Sequence, residues 1–108
     1  MKIMSAGGDT WAPDRTPPRT GFMVSLADTE HTVKATHFTD AVLAAFEAEH
    51  TARVASDDQL FFGAWLDGAT VFLDVSMHFE DHAEALLAGL AENQIAVFDL
   101  SAATSLYL

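Results

Sequence analysis

The 108-residue chain contains no cysteine. That rules out a disulfide framework, a thiolate nucleophile and any zinc–thiolate site, while leaving the redox environment open. Basic residues are scarce: 5 Lys and Arg stand against 16 Asp and Glu, for a net charge of −11. The deficit is uneven. Lys2, Arg15 and Arg19 precede Thr20, and from there on only Lys34 and Arg53 face 14 acidic side chains, a local balance of 2 − 14 = −12. A body with that field repels phosphate backbones and anionic lipid headgroups, so direct nucleic-acid or membrane binding is disfavoured, whereas a basic or nucleic-acid-binding protein is attracted. No apolar run approaches a bilayer span, and none long enough for a secretory signal follows Lys2. The expected location is the cytoplasm.

Proline is confined to Pro13, Pro17 and Pro18, which with Gly7 and Gly8 break any periodicity before Thr20. Residues 1–19 therefore read as an arm or linker with one hydrophobic anchor, Trp11, and residues 20–108 as one domain, long enough to bury a core without a metal or disulfide. In "TGFMVSLA" the apolar positions Phe22, Val24 and Leu26 alternate, "DTE" turns the chain, and "HTVKAT" resumes with Val33 and Ala35. This is the pattern of a hairpin.

A first helix is expected from Asp40 to about Arg53, with Val42, Leu43, Phe46 and His50 on one face and Asp40 at its positive end. "QLFFGAWLDGATVFLDVS" carries a second hairpin, its loop placed at Asp67 and Gly68, the residues a type I′ turn demands. On that register Phe62 opposes Leu73 and one face is wholly aliphatic or aromatic. The other face collects Phe61, Gly63 and Trp65 with Thr70, Phe72 and Asp74, which is unexpectedly aromatic for a surface meeting water. A second helix is expected from Asp81 to Glu92, its buried stripe formed by Ala83, Leu86, Leu87 and Leu90. Asp81 with Glu84 makes a capping box and Asn93 a left-handed stop. "QIAVFDL" follows as a buried strand, and Leu106 to Leu108 form an edge strand or pack over an open end of the core.

"HFTD" at His37–Asp40 and "HFED" at His78–Asp81 nearly repeat, and a 41-residue slide also superposes Val42 on Ala83 and Phe46 on Leu87. The economical explanation is a degenerate duplication of a ββα unit, with Phe38 and Phe79 seating each helix on the sheet and Asp40 and Asp81 serving the helix N-termini. The fold so derived is α+β, a two-layer sandwich of about five strands in the order ββαββαβ with two helices on one face, loosely ferredoxin-like.

Chemical alternatives fare worse. His78 and His82 are four apart, but His78 precedes the expected cap, the residue after it is Phe79 rather than the Glu of HExxH, and no third ligand stands out. Ser76 and His78 lack a glycine-flanked elbow, and Gly7–Gly8 precede no strand-to-helix junction. No catalytic, metal or cofactor-binding residues are therefore assigned. Phe61, Trp65 and Phe72 resemble a base-stacking platform, but their neighbours are Asp67 and Asp74 instead of lysines. The same four residues, Phe61, Trp65, Phe72 and Asp74, form the candidate interaction surface, covered by the arm through Trp11, by the tail, by a second copy or by a partner.

The run "GAWLDGATVFLDVS", the alanine-rich helix after it and "NQIAVFDL" resemble small uncharacterised proteins of actinobacteria and their phages or mobile elements, over roughly residues 20 to 100. That resemblance implies a bacterial or phage cytoplasmic setting and contributes no site residues. The expected function is a non-enzymatic, acidic protein-binding accessory factor. The alternatives are a nucleic-acid-mimicking inhibitor of a host defence or DNA-binding protein and, further off, a metal-dependent hydrolase using His78 and His82.

Overall fold

The computed structural model describes residues 8–108. Its elements follow as β1 (Gly8–Trp11), β2 (Phe22–Ser25), β3 (His31–Lys34), α1 (Asp40–Ser56), β4 (Leu60–Asp67), β5 (Thr70–Phe79), α2 (His82–Ala91), β6 (Ala96–Asp99) and β7 (Thr104–Tyr107). All seven strands lie in one antiparallel sheet, ordered β1-β4-β5-β2-β6-β7 with β3 also on β5. The α+β class holds; seven strands replace the expected five. The two extra strands lie at the sheet's ends. One is β7, from the ambiguous tail, and the other is β1, from the segment read as an arm, whose residues 1–7 lie outside the described residues.

β2 and β3 do not form the expected hairpin. β5 is ten residues long, enough to pair with both end to end: Ser25 opposes Ser76, and the next register has His31 opposite Leu73. Between those pairs the β2–β3 side carries Leu26 to Glu30 where β5 has only Asp74 and Val75. The surplus is taken up by a 3-10 turn at Ala27–Thr29. Leu26 N still donates to Val75 O at 2.9 Å. The buried Thr29 hydroxyl then stands in for the missing rung, accepting from Val75 N at 2.8 Å and donating to Leu26 O at 2.7 Å. A bulge of this kind bends the strand and re-aims the residues beside it.

The β4–β5 hairpin forms, but its loop is Gly68–Ala69, since Asp67 opposes Thr70. Gly68 has φ +59, the left-handed value that a type II′ turn needs at its first loop position. Every pairing moves by two residues, so Phe62 meets Val75 instead of Leu73. Side chains alternate with period two, so the shift leaves each of them on its expected face.

On one face of the sheet, Leu60, Phe62, Ala64, Val71, Leu73 and Val75 form a core under α1 with Phe46 and Val54, and Val24, Ala85 and Val97 form a smaller one under α2. Trp11 belongs to the first. Its ring stacks on Phe62 at 5.7 Å and its indole N–H donates to Glu47 at 2.9 Å, so it anchors β1 on the helix side and does not cover the opposite face.

α1 is capped by Thr39, whose hydroxyl accepts from Val42 N at 3.2 Å; Asp40 is the first helical residue. α2 starts as expected, with the Asp81 carboxylate accepting from Glu84 N at 2.9 Å, and Asn93 follows its end at φ +56. The two caps are thus one position apart in the 41-residue alignment, while Phe38 and Phe79 do pack beside the two cores. Replacing Asp81 by Ala is expected to cost roughly 1 kcal/mol, read from urea unfolding, with Asp81→Asn close to wild type; an unchanged midpoint for the alanine variant would show that the cap contributes nothing.

The buried face of α2 is not the expected one. Ala85 and Gly89 face the sheet, while Leu87 and Leu90 lie 68% and 59% exposed. The reason is proximity: a Cβ on Gly89 would approach Val97 Cγ1 to 2.8 Å and Leu108 Cδ1 to 2.9 Å, so only small residues fit beneath the helix. Of the stripe's leucines, Leu86 packs beside the small core, and Leu87 and Leu90 point away from it.

Candidate functional site

The four residues of the candidate surface share the helix-free face of β4 and β5, where Trp65 pairs with Phe72, Gly63 with Asp74 and Phe61 with Ser76. They do not form one exposed patch. Trp65 and Phe72 are half-buried and stack on each other, centroids 5.1 Å apart and planes within 5° of parallel. Directly opposite residues of an antiparallel pair lie close enough for this, and the contact is worth roughly 0.5–1.5 kcal/mol beyond area burial.

Further along the same face, beyond the Gly63–Asp74 pair, Phe61 is buried, and its cover is Arg15. The guanidinium carbon lies 4.9 Å from the Phe61 ring centroid. The same group donates through Nη2 to Val54 O and Asp57 O at 3.0 Å each, and to Leu60 O. These carbonyls end α1 and lead into β4; Asp57 O also accepts from Leu60 N at 3.0 Å, and the negative end of the helix dipole calls for a cation here. The arm therefore does cover part of the face, through Arg15 and not through Trp11. It then crosses the sheet end to β2, where Thr20 O lies 2.8 Å from His78 Nε2 and Thr20 Oγ1 donates to Glu80 at 3.0 Å.

Between the stacked rings and Phe61 lies Asp74, with none of its surface exposed. It sits opposite the surplus residues of the β2–β3 bulge and lies across Gly63, where any Cβ would collide with Asp74 Oδ1. That glycine is required by close approach, the usual meaning of a lone Gly within a strand. Ser25 Oγ donates to Oδ2 at 2.6 Å and Ser76 Oγ to Oδ1 at 2.8 Å. Burial pushes the carboxyl above its ordinary value; the two hydroxyls pull the other way, and the charge of Glu30 adds to the rise.

The histidine pair does not converge. The His78 side chain lies on the helix-free face, 3.5 Å from Glu80, whereas the His82 ring packs against Phe22 on the helix side with centroids 5.3 Å apart. Ser76 is engaged with Asp74, not with His78. Among the described residues no group of three or more His, Asp or Glu is placed to hold a metal ion.

Sequence reasoning missed Arg15, Ser25 and Thr29. Ser25 and Thr29 give no signal without knowledge of the bulge, because their partner Asp74 and the Val75 amide are more than forty residues away. That Gly63 and Asp74 share a face was open to a parity argument, but their direct pairing was not, since the register moved by two residues. No protein-family model, curated protein or solved structure matches the chain, so the geometry alone carries its functional reading. No helix among the described residues is long and apolar enough to cross a membrane.

Proposed function

We propose that the chain is a non-enzymatic, acidic protein-binding accessory factor of bacterial or phage origin, acting in the cytoplasm, and that its docking point is the Trp65–Phe72 pair. The observation that carries this reading is the flat, half-exposed ring stack at the hairpin end of the β4–β5 face, where Phe61, Gly63, Asp74 and Ser76 beside it are buried. Rings of this kind bury much area at little entropic cost and offer a negative π-face to a lysine or arginine. The net charge of −11 draws such a basic partner in before contact. The groups of greatest chemical interest on the face, Asp74 with Ser25 and Ser76, are satisfied by one another beneath it, which suits a structural role better than turnover.

We also infer a relation to ferredoxin-like sandwiches. Counting β2 and β3 as one broken strand, the central order β4, β5, β2/β3, β6 with α1 and α2 as crossovers is a β-α-β-β-α-β connectivity, to which β1 and β7 are added at the ends.

The test is a quantitative pull-down with wild-type and Trp65→Ser baits, both shown by circular dichroism to be folded at the assay temperature. At least a tenfold loss of the captured protein is expected from the variant, the size of effect a central aromatic anchor produces. Equal capture would end the proposal. Repeating it across salt concentrations separates the readings: capture anchored on the rings weakens only in part as the charge attraction is screened, whereas a nucleic-acid mimic loses its target steeply with salt.

A further inference from the structure

A second surface has no role in that reading. The outer stripe of α2 exposes Leu87 and Leu90, and beside it Ile95 is 81% and Tyr107 74% exposed, with Phe98 and Leu108 each 41%. These residues belong to one corner of the molecule. Leu108 approaches Gly89 of α2, its amide donates to Ile95 O at 2.9 Å, and Leu106 of β7 packs with Leu86 of α2 on the same small core. At the corner's margin is β7, which has β6 as its one neighbour among the described residues.

We infer that this corner joins two copies of the chain, edge to edge through β7, with the α2 leucine stripes of the two copies flanking the junction on one side of the sheet and Tyr107 and Phe98 on the other. The Trp65–Phe72 pair, on β4 and β5 and away from the β7 edge, is left free, so this inference stands apart from the proposed function. Three observations select a second copy over a basic partner. The first is charge. From Ala85 to Leu108 only Glu92 and Asp99 carry charged side chains, in a chain whose side chains sum to −11. A charge-poor patch offers a basic partner nothing to pair with, and it is the one kind of surface on which two strongly acidic copies can meet without close repulsion. The second is area: the six exposed side chains present on the order of 700 Å², near the roughly 800 Å² per partner of a standard interface. The third is the edge itself. β7 reads Thr104-Ser105-Leu106-Tyr107, without the lysine, proline or inward charge that ordinarily protects an open strand.

The register of such a junction follows from hydrogen-bond alternation. Leu108 donates to Ile95, and β6 and β7 keep the same register through Leu106 opposite Val97 and Thr104 opposite Asp99. Alternate residues of an antiparallel strand bond to opposite sides, so the amides of Ser105 and Tyr107 point to the open edge. A two-fold axis at Leu106 sets Ser105 of one copy opposite Tyr107 of the other and forms about four backbone hydrogen bonds. Because that axis is perpendicular to the sheet, both α2 helices end on the same side.

Sedimentation equilibrium on the full chain tests this. Wild type is expected to be dimeric at micromolar concentrations, with a melting temperature that rises with protein concentration. Ser105→Pro removes one outward amide without touching a β6–β7 bond and is expected to weaken the dimer at least tenfold. The double variant Leu87→Glu, Leu90→Glu changes only side chains exposed in the single copy and is expected to be monomeric with an unchanged circular dichroism spectrum. Trp65→Ser is expected to leave the dimer intact. A wild type that is monomeric up to about 100 μM, a dimer indifferent to both edge and stripe variants, or a dimer dissolved by Trp65→Ser would each overturn the inference.

Discussion

Replacing Asp74 by Asn is expected to stabilise the protein at neutral pH, raising its melting temperature by about 4 °C or more, the shift that 1 kcal/mol produces in a domain of this size. The carboxyl is fully buried, with two serine hydroxyls as its hydrogen-bond partners and no cation. Desolvation therefore outweighs the hydrogen bonds and raises its pKa above the ordinary 3.8. A carboxyl with a higher pKa folded than unfolded binds its proton more tightly in the folded state. Its contribution to stability is thus best below the unfolded-state pKa and is lost as pH rises through the folded-state one. Asn has the same shape, accepts from one serine, donates to the other and carries no charge. The difference in unfolding free energy between Asp74→Asn and wild type is consequently expected to be small at pH 3, to grow as pH rises, and to level off once wild-type Asp74 is ionised. Comparing the two proteins removes the titration of the other fifteen acidic side chains, which both share. A difference that stays constant with pH would show that Asp74 does not titrate on folding, and a destabilised variant at pH 7 would show that the ionised form is favoured in place.

Arg15→Ala is expected to be the most damaging single change at the arm, costing about 3 kcal/mol in denaturant unfolding. Charge-assisted hydrogen bonds to Val54, Asp57 and Leu60 carbonyls are worth roughly 1.5–3 kcal/mol where their loss leaves acceptors without a partner. The interaction with the C-terminal end of α1 adds about 0.3–1 kcal/mol. The Phe61 ring also loses its cover, so binding of a dye specific for exposed apolar surface should increase. Arg15→Lys keeps the charge without the planar fork and is expected to recover less than half of the loss. A stability within about 0.5 kcal/mol of wild type for the alanine variant would mean that the arm is held by β1 and Trp11 alone.

These two residues show how differently parts of the site could be read in advance. Placing Phe61, Trp65, Phe72 and Asp74 on one face needed only the alternation of "LFFGAWLDGATVFLD", and it survived a loop assigned one position too early because the resulting shift was even. Which of the four are surface was not open to that argument. Phe61 is buried because an arginine 46 residues earlier lies over it, and Asp74 because a bulge in another strand delivers Ser25 to it.

The elements themselves were local matters. The cap at Asp81, the left-handed stop at Asn93 and the helix beginning at Asp40 each depend on a few neighbouring residues and were legible without the fold, as was the presence of a turn at Gly68, though its loop lies one residue later than expected. So was the acidity that shapes every partner argument. Tertiary structure alone decided that β2 and β3 share one long neighbour instead of pairing with each other, since that depends on the length of β5, some forty residues on. It also decided which way the leucines of α2 face. Periodicity identifies an apolar stripe, but burial is settled by what lies beneath the helix. Here the close approach of Val97 and Leu108 leaves no room for a side chain at Gly89, so the small residues Ala85 and Gly89 face the sheet and Leu87 and Leu90 turn to the outside.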